Sequence, residues 1–116
     1  MAIDSKELAL MCAAACTEKK GESVVVLDVS KSLAIADYFV VATGRNKRHL
    51  KSMCDEIRRL DRGKRRKAVA EEGSGDGARW LLLDLGDVIV HLFDSDTRSY
   101  YDIDALWADA PRVPLG

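Results

Sequence analysis

The stretch from Asp37 to Leu60 reads DYFVVATGRNKRHLKSMCDEIRRL, and its hydrophobic period changes in the middle. Up to Thr43 it is an aromatic and β-branched run of strand length, stopped by Gly44. From Asn46, a good N-cap residue, Leu50, Met53, Cys54, Ile57 and Leu60 recur at i, i+3, i+4, i+7 and i+10. That is one face of an amphipathic helix. A strand that runs directly into such a helix predicts a sheet with a helix packed on it.

Working outward toward the N-terminus, Val24 to Val29 is a second β-branched run and reads as a buried strand. Before it, Leu8, Met11, Cys12 and Ala15 keep helical spacing. Asp4 and Glu7 resemble a capping box, and Ile3 with Leu8 occupies the two positions of a hydrophobic staple. This first helix is predicted to end near Lys19-Lys20-Gly21, with Gly21 as its stop. Toward the C-terminus, residues 61–77 are polar and hold four glycines, with a short strand expected at Ala68 to Ala70. Ala78 to Leu85 and Val88 to Asp94 then read as two strands joined through Asp84-Leu85-Gly86-Asp87, a hairpin signal. A short helix through Ile103, Leu106 and Trp107 follows. The simplest layered solution is an α/β (α+β) domain: a single domain with one mixed β-sheet flanked by helices. Residues 1–110 are assigned to it and residues 111–116 to a flexible C-terminal tail.

With 116 residues the chain has one domain's worth of length, and 47% hydrophobic content is enough for a core. No apolar run reaches the roughly 18 residues needed to cross a bilayer, so no membrane partner is expected. Three cysteines, an odd number lying in apolar patterns, predict reduced core thiols. Asp4 and Glu7 stand where a secretory leader would carry positive charge, which makes the expected location cytoplasmic.

Charge is unevenly spread. Residues 45–67 hold 11 basic and 3 acidic side chains, whereas the whole chain is near neutral at -1. Arg45, Lys47, Arg48, Lys51, Arg58 and Arg59 fall opposite the apolar stripe of the second helix, and Arg62 and Lys64 to Lys67 follow. Two readings stay open: a contact with RNA phosphates or an acidic partner, and a solvated helix face. The turn Thr43-Gly44-Arg45-Asn46 gathers backbone N–H groups at a helix start, where a phosphate can sit, although turns need glycine anyway.

Catalytic patterns are poorly supported. Asp28, Asp84 and Asp87 lie at strand ends, but Asp84 and Asp87 are three apart across a turn, and turn formation explains both. His91 alternates with Val90 and Leu92 inside a strand and has no visible nucleophile partner, so a structural role is expected. Cys12, Cys16 and Cys54 lack metal-ligand spacing. The expectations are therefore no metal, no cofactor and no enzyme activity. Trp80 shares one strand face with Leu82 and Asp84, and the pattern alone favours a place in the core.

Three blocks carry a family resemblance: ADYFVVATG (Ala36 to Gly44), ARWLLLDLGDVIVHLF (Ala78 to Phe93) and RSYYDIDALWADAP (Arg98 to Pro111). With LDVS at Leu27 to Ser30, they strongly resemble the Iojap-like ribosomal silencing factor family. The resemblance implies a nucleotidyltransferase-like fold without catalytic residues. It further implies binding to ribosomal protein L-fourteen on the large ribosomal subunit. There the protein would block association with the small subunit and repress translation under nutrient limitation. On this chain the partner-binding patch falls on the Trp80 strand and the turn after it: Trp80, Asp84 and Leu85 first, then Leu82 and Asp87. The resemblance thus moves Trp80 from the core to a binding face. It also implies a homodimer off the ribosome, and the basic block is read as a contact with ribosomal RNA. One departure is the approach to Glu72-Gly73, which is more basic and less apolar than the family pattern. The competing reading is a nucleotide-binding or nucleotidyltransferase-type enzyme that uses the Gly44 turn and Asp84.

Overall fold

A computed structural model describes residues 4–32, 36–61, 68–72 and 80–115. The elements are α1 (Ser5–Glu18), β1 (Glu22–Asp28), β2 (Tyr38–Gly44), α2 (Lys47–Asp61) and β3 (Ala68–Glu72), followed by β4 (Trp80–Asp84), β5 (Val88–Asp94), α3 (Ser95–Tyr101) and α4 (Ile103–Leu106). The five strands form one sheet in the order β1-β2-β5-β4-β3. The central pair, β2 with β5, is parallel, and the other three pairings are antiparallel. The expected mixed sheet with flanking helices is therefore present. Ile3 of the hydrophobic staple, Gly73 and the basic residues Arg62 and Lys64 to Lys67 lie outside the described residues.

Alternation sorts the strand residues onto two faces. Val26, Val40, Ala42, Leu81, Leu83, Val88, Val90 and Leu92 point toward α1 and α2, and all are buried. The helices meet them with Leu8, Cys12, Cys16, Leu50, Met53, Cys54 and Ile57. Each fully buried aliphatic residue here contributes about 1.5–3 kcal/mol. The three cysteines are buried thiols, and burial pushes the Cys16 thiol up to about 12. On the other face, Leu27, Val29, Phe39, Val41 and Phe93 form a second, smaller cluster.

The caps follow the sequence closely. Asp4 accepts the Glu7 N–H at 2.8 Å, and Asn46 accepts the His49 N–H at 2.9 Å. The end of α1 differs from expectation. Gly21 N–H bonds to the Cys16 carbonyl and Lys20 N–H to the Thr17 carbonyl, the pair of bonds that defines a Schellman cap. The left-handed residue in it is Lys20, at φ 66°, not Gly21. Gly21 is needed for a different reason: a Cβ there would sit 2.7 Å from the Met53 sulfur of α2.

The C-terminal segment lies along the outer edge of the sheet. Asp28 N–H donates to the Pro111 carbonyl at 2.8 Å, and Val113 N–H to the Val26 carbonyl at 2.9 Å. Residues 111–113, assigned from sequence to a loose tail, thus occupy backbone groups of β1 that an edge strand would leave open.

Candidate functional site

Two strands build the half-covered part of the second face. Trp80 and Leu82 of β4 and Ile89 and His91 of β5 are each half-buried, and Asp84 is exposed at the strand end. The register sets Leu82 beside His91, and His91 beside Val41. Their neighbours on the same strands, Leu81, Leu83 and Val90, are buried beneath the helices. A face of Trp, Leu, Ile and His left partly open is the kind of surface that anchors protein partners.

An aromatic row runs across this face. Trp80 packs on Phe93 at 4.8 Å between ring centroids, His91 lies edge-on to Phe39 at 4.6 Å, and Phe39 lies edge-on to Trp107 at 5.0 Å. The Trp80 indole N–H donates to His91 Nδ1 at 3.3 Å, a long bond that still fixes the tautomer. The proton of His91 is then on Nε2, and this buried nitrogen has no hydrogen-bond partner among the described residues. Burial lowers the His91 pKa to about 4, so the ring is neutral at pH 7.

The turn after Trp80's strand is held by its own residues. Leu85 N–H donates to the Val88 carbonyl at 2.9 Å, and Asp84 Oδ1 accepts the Gly86 N–H at 2.9 Å. Gly86 has φ 91°, which suits the first central position of a two-residue hairpin turn and which a side chain would strain. Asp84 and Asp87 are exposed. Leu85 is not on this face: its side chain is 2% exposed and belongs to the helix-side core, so it has no surface to offer a partner.

Gly44 and Asp84 do not meet. Gly44 pairs with Asp94 and Asp84 with Ile89, at opposite ends of β5. The separation along the strand is about 17 Å. Nor is the Gly44 turn an open anion cradle. Arg45 N–H already donates to His49 Nδ1 at 2.9 Å, and the His49 N–H is taken by Asn46. Gly44 is small because Leu50 crowds it: a Cβ would come within 2.7 Å of that side chain. The geometry therefore removes the arrangement on which the nucleotidyltransferase reading depended.

Arg45, Lys47, Arg48, Lys51, Arg58 and Arg59 are all exposed, on the helix that covers the opposite side of the sheet from Trp80. Lys51 pairs with Asp55 at 3.5 Å, both exposed, an i,i+4 pair of small worth, and exposed Arg59 pairs with the half-buried Glu56 at 3.4 Å.

Sequence reading missed Arg98. Only 8% exposed, its guanidinium donates to the Ser23 carbonyl, to Thr43 Oγ1 and, through two nitrogens, to both carboxylate oxygens of Asp104. The hydrogen bonds from Arg98, with its charge beside them, hold the Asp104 carboxyl below the usual range. This clamp ties α3 and α4 to β1 and β2, and Trp107, directly after α4, lands on Phe39. Arg98 thereby anchors the segment that carries Trp107 onto the second face. Asp104 lies within the same run, but SYYDIDALW gives no hint of the other two partners, which lie 55 and 75 positions away.

Comparisons with known proteins agree with this architecture. The family model described as "Ribosomal silencing factor during starvation" matches residues 2–116. The chain is 37% identical to the ribosomal silencing factor RsfS of Bacillus subtilis, over 97% of this chain and 95% of that protein. It is 28% identical to the mouse protein named "Mitochondrial assembly of ribosomal large subunit protein 1", over 78% of this chain and 40% of that one. Among solved structures, a crystal structure from Chromobacterium violaceum is similar at TM-score 0.79 and 32% identity. That match covers 91% of this chain and 88% of that one.

Proposed function

The chain belongs to the ribosomal silencing factor family, and from that premise we propose that it acts by docking its half-open sheet face on the large ribosomal subunit. The partner in this reading is ribosomal protein L-fourteen, and the outcome is a subunit that cannot join its small counterpart, so that translation falls under nutrient limitation. The protein acts by occupancy, without catalysis, in the cytoplasm, and pairs with a second copy when off the ribosome.

The observation that carries the reading is the surface of Trp80, Leu82, Ile89 and His91 with Asp84 at its rim. Trp80 supplies a large apolar anchor. Exposed Asp84 and Asp87 supply negative charge for a basic ribosomal protein. A standard interface needs about 800 Å² from each partner, which fits within a total surface of 6968 Å². Blocking then requires only bulk. The molecule measures 38 × 32 × 26 Å, enough to hold two joining surfaces apart when seated between them.

Sucrose-gradient sedimentation with separated subunits tests this. The wild-type protein is expected to travel with the large subunit alone, and Trp80→Ala to stay at the top of the gradient while keeping its cooperative melt. Wild-type protein that stays at the top defeats the reading. Trp80→Ala that still travels with the large subunit removes Trp80 from the interface.

A further inference from the structure

The docking reading leaves the other side of the molecule unused, and there the structure assembles a cationic surface from two elements far apart in sequence. His49, 6% exposed, is the joint. Its Nδ1 accepts the Arg45 N–H at 2.9 Å, so Nε2 carries the hydrogen and donates to the Lys19 carbonyl at 2.8 Å. The C-terminus of α1 is thereby fixed against the first turn of α2. Exposed Lys19 and Lys20 join exposed Arg45, Lys47, Arg48 and Lys51. Composition pointed only to residues 45–67; the two lysines of α1 enter through the histidine. Lys47, Lys51 and Arg58 follow at i, i+4 and i+11, within about 40° of one another around the helix axis and about 16 Å from first to last.

We propose that this surface binds the phosphodiester backbone of RNA, independently of the Trp80 face. Among the described residues, the exposed large hydrophobic ones, Tyr100, Leu106 and Leu115, lie in the C-terminal part of the chain and not on α2. A protein interface needs an apolar centre, whereas a phosphate backbone needs only cations and gains from releasing its counterions. A lipid surface fits poorly as well. Binding in the membrane interface uses the apolar side of a basic helix, and in α2 that side (Leu50, Met53, Ile57) is spent in the core. Acidic side chains qualify the charge without cancelling it: Glu56 lies 4.0 Å from Lys19, and Asp55 pairs with Lys51. The contact is therefore one of position and charge, with no reading of base sequence.

Fluorescence polarisation with a short labelled RNA hairpin, read at a series of salt concentrations, tests the proposal. Wild-type protein is expected to bind at low salt, with log K falling against log salt at a slope of about −3 or steeper. The triple variant Lys47→Glu, Arg48→Glu, Lys51→Glu is expected to lose at least about tenfold in affinity, and its neutral counterpart with three glutamines to lose most of the salt slope. All three positions are exposed, so an unchanged melting curve is expected for both variants. Trp80→Ala should bind RNA as the wild type does, even if it no longer sediments with the ribosomal subunit. Absence of wild-type binding at low salt overturns the proposal. So does a folded charge-reversed variant that binds as well as the wild type.

Discussion

The two faces of one sheet are built from the same strands and finished differently. Toward α1 and α2, the apolar inward residues of β4 and β5 are all buried, and the packing leaves Leu83 and Val90 at 1% and 0% exposure. Toward the other side, the intervening residues Leu82, Ile89 and His91 are half-buried, and Trp107 and Ala110 pack on the cluster around Phe39. This half-buried face of aromatic and aliphatic residues is the one on which the proposed docking rests.

The largest test of this contrast compares neighbours on β4. Leu83→Ala is expected to cost about 3 kcal/mol of unfolding free energy, and Leu82→Ala about 1 kcal/mol, both by urea denaturation. Equal costs would mean that the second face is as closed as the first. Next comes the clamp that anchors the Trp107 segment. Arg98→Met keeps the side-chain length but removes every hydrogen bond, leaving Asp104 alone. Because Asp104 is 56% exposed and can rehydrate, the expected loss is about 2 kcal/mol rather than that of a fully buried pair. The diagnostic sign is an increase in Trp107 exposure, read by quenching of fluorescence with Trp80 replaced by Phe. Unchanged quenching would show that α4 holds its place without Arg98.

A smaller effect comes from His91, through pH. Its folded pKa of about 4 lies below the ordinary 6.5, so the unfolded chain binds the extra proton between those values. Stability is therefore complete above that window and falls as pH drops through it, by on the order of 1–2 kcal/mol between pH 7 and pH 5. His91→Gln should flatten that part of the profile relative to wild type, and a parallel profile would mean that the ring is hydrated and not held in the row. Smallest is Asp84→Ala, which gives up the bond to Gly86 for about 0.5 kcal/mol in stability. Its expected consequence is a weaker salt dependence of ribosome co-sedimentation, and an unchanged dependence would take Asp84 out of the electrostatic rim.

Much of this was readable along the chain. The period change at Gly44 gave β2 and α2, the capping side chains Asp4 and Asn46 act as expected, and the β5 boundaries coincide with the apolar run. Strict alternation also places Leu85 with Leu81 and Leu83 on the helix side; it was assigned to the partner face through the family motif, and the parity was right. What could not be read is which face stays open. The Arg98 contacts with Ser23 and Thr43, which anchor the segment carrying Trp107, and the His49 contact with Lys19, which joins α1 to α2, are also made between residues whose neighbours in sequence carry no sign of them. Gly21 shows the same limit: a terminal glycine suggests a left-handed cap, yet the position is fixed by the approach of Met53 from another helix.

The parallel joint between β2 and β5 also sets an order of events in synthesis. Val40 sits opposite Val90, and α2, β3 and β4 lie between them in the chain. During translation β1 and β2 can pair as soon as both have emerged, but the inner edge of β2 has no neighbour until β5 follows. Contacts this distant slow folding, because the loop must close before the pairing repays it. Until Asp94 is out, the nascent chain carries an unpaired edge rich in valine, the feature that invites association with other chains. This chain therefore completes its own sheet only once β5, through Asp94, has been made.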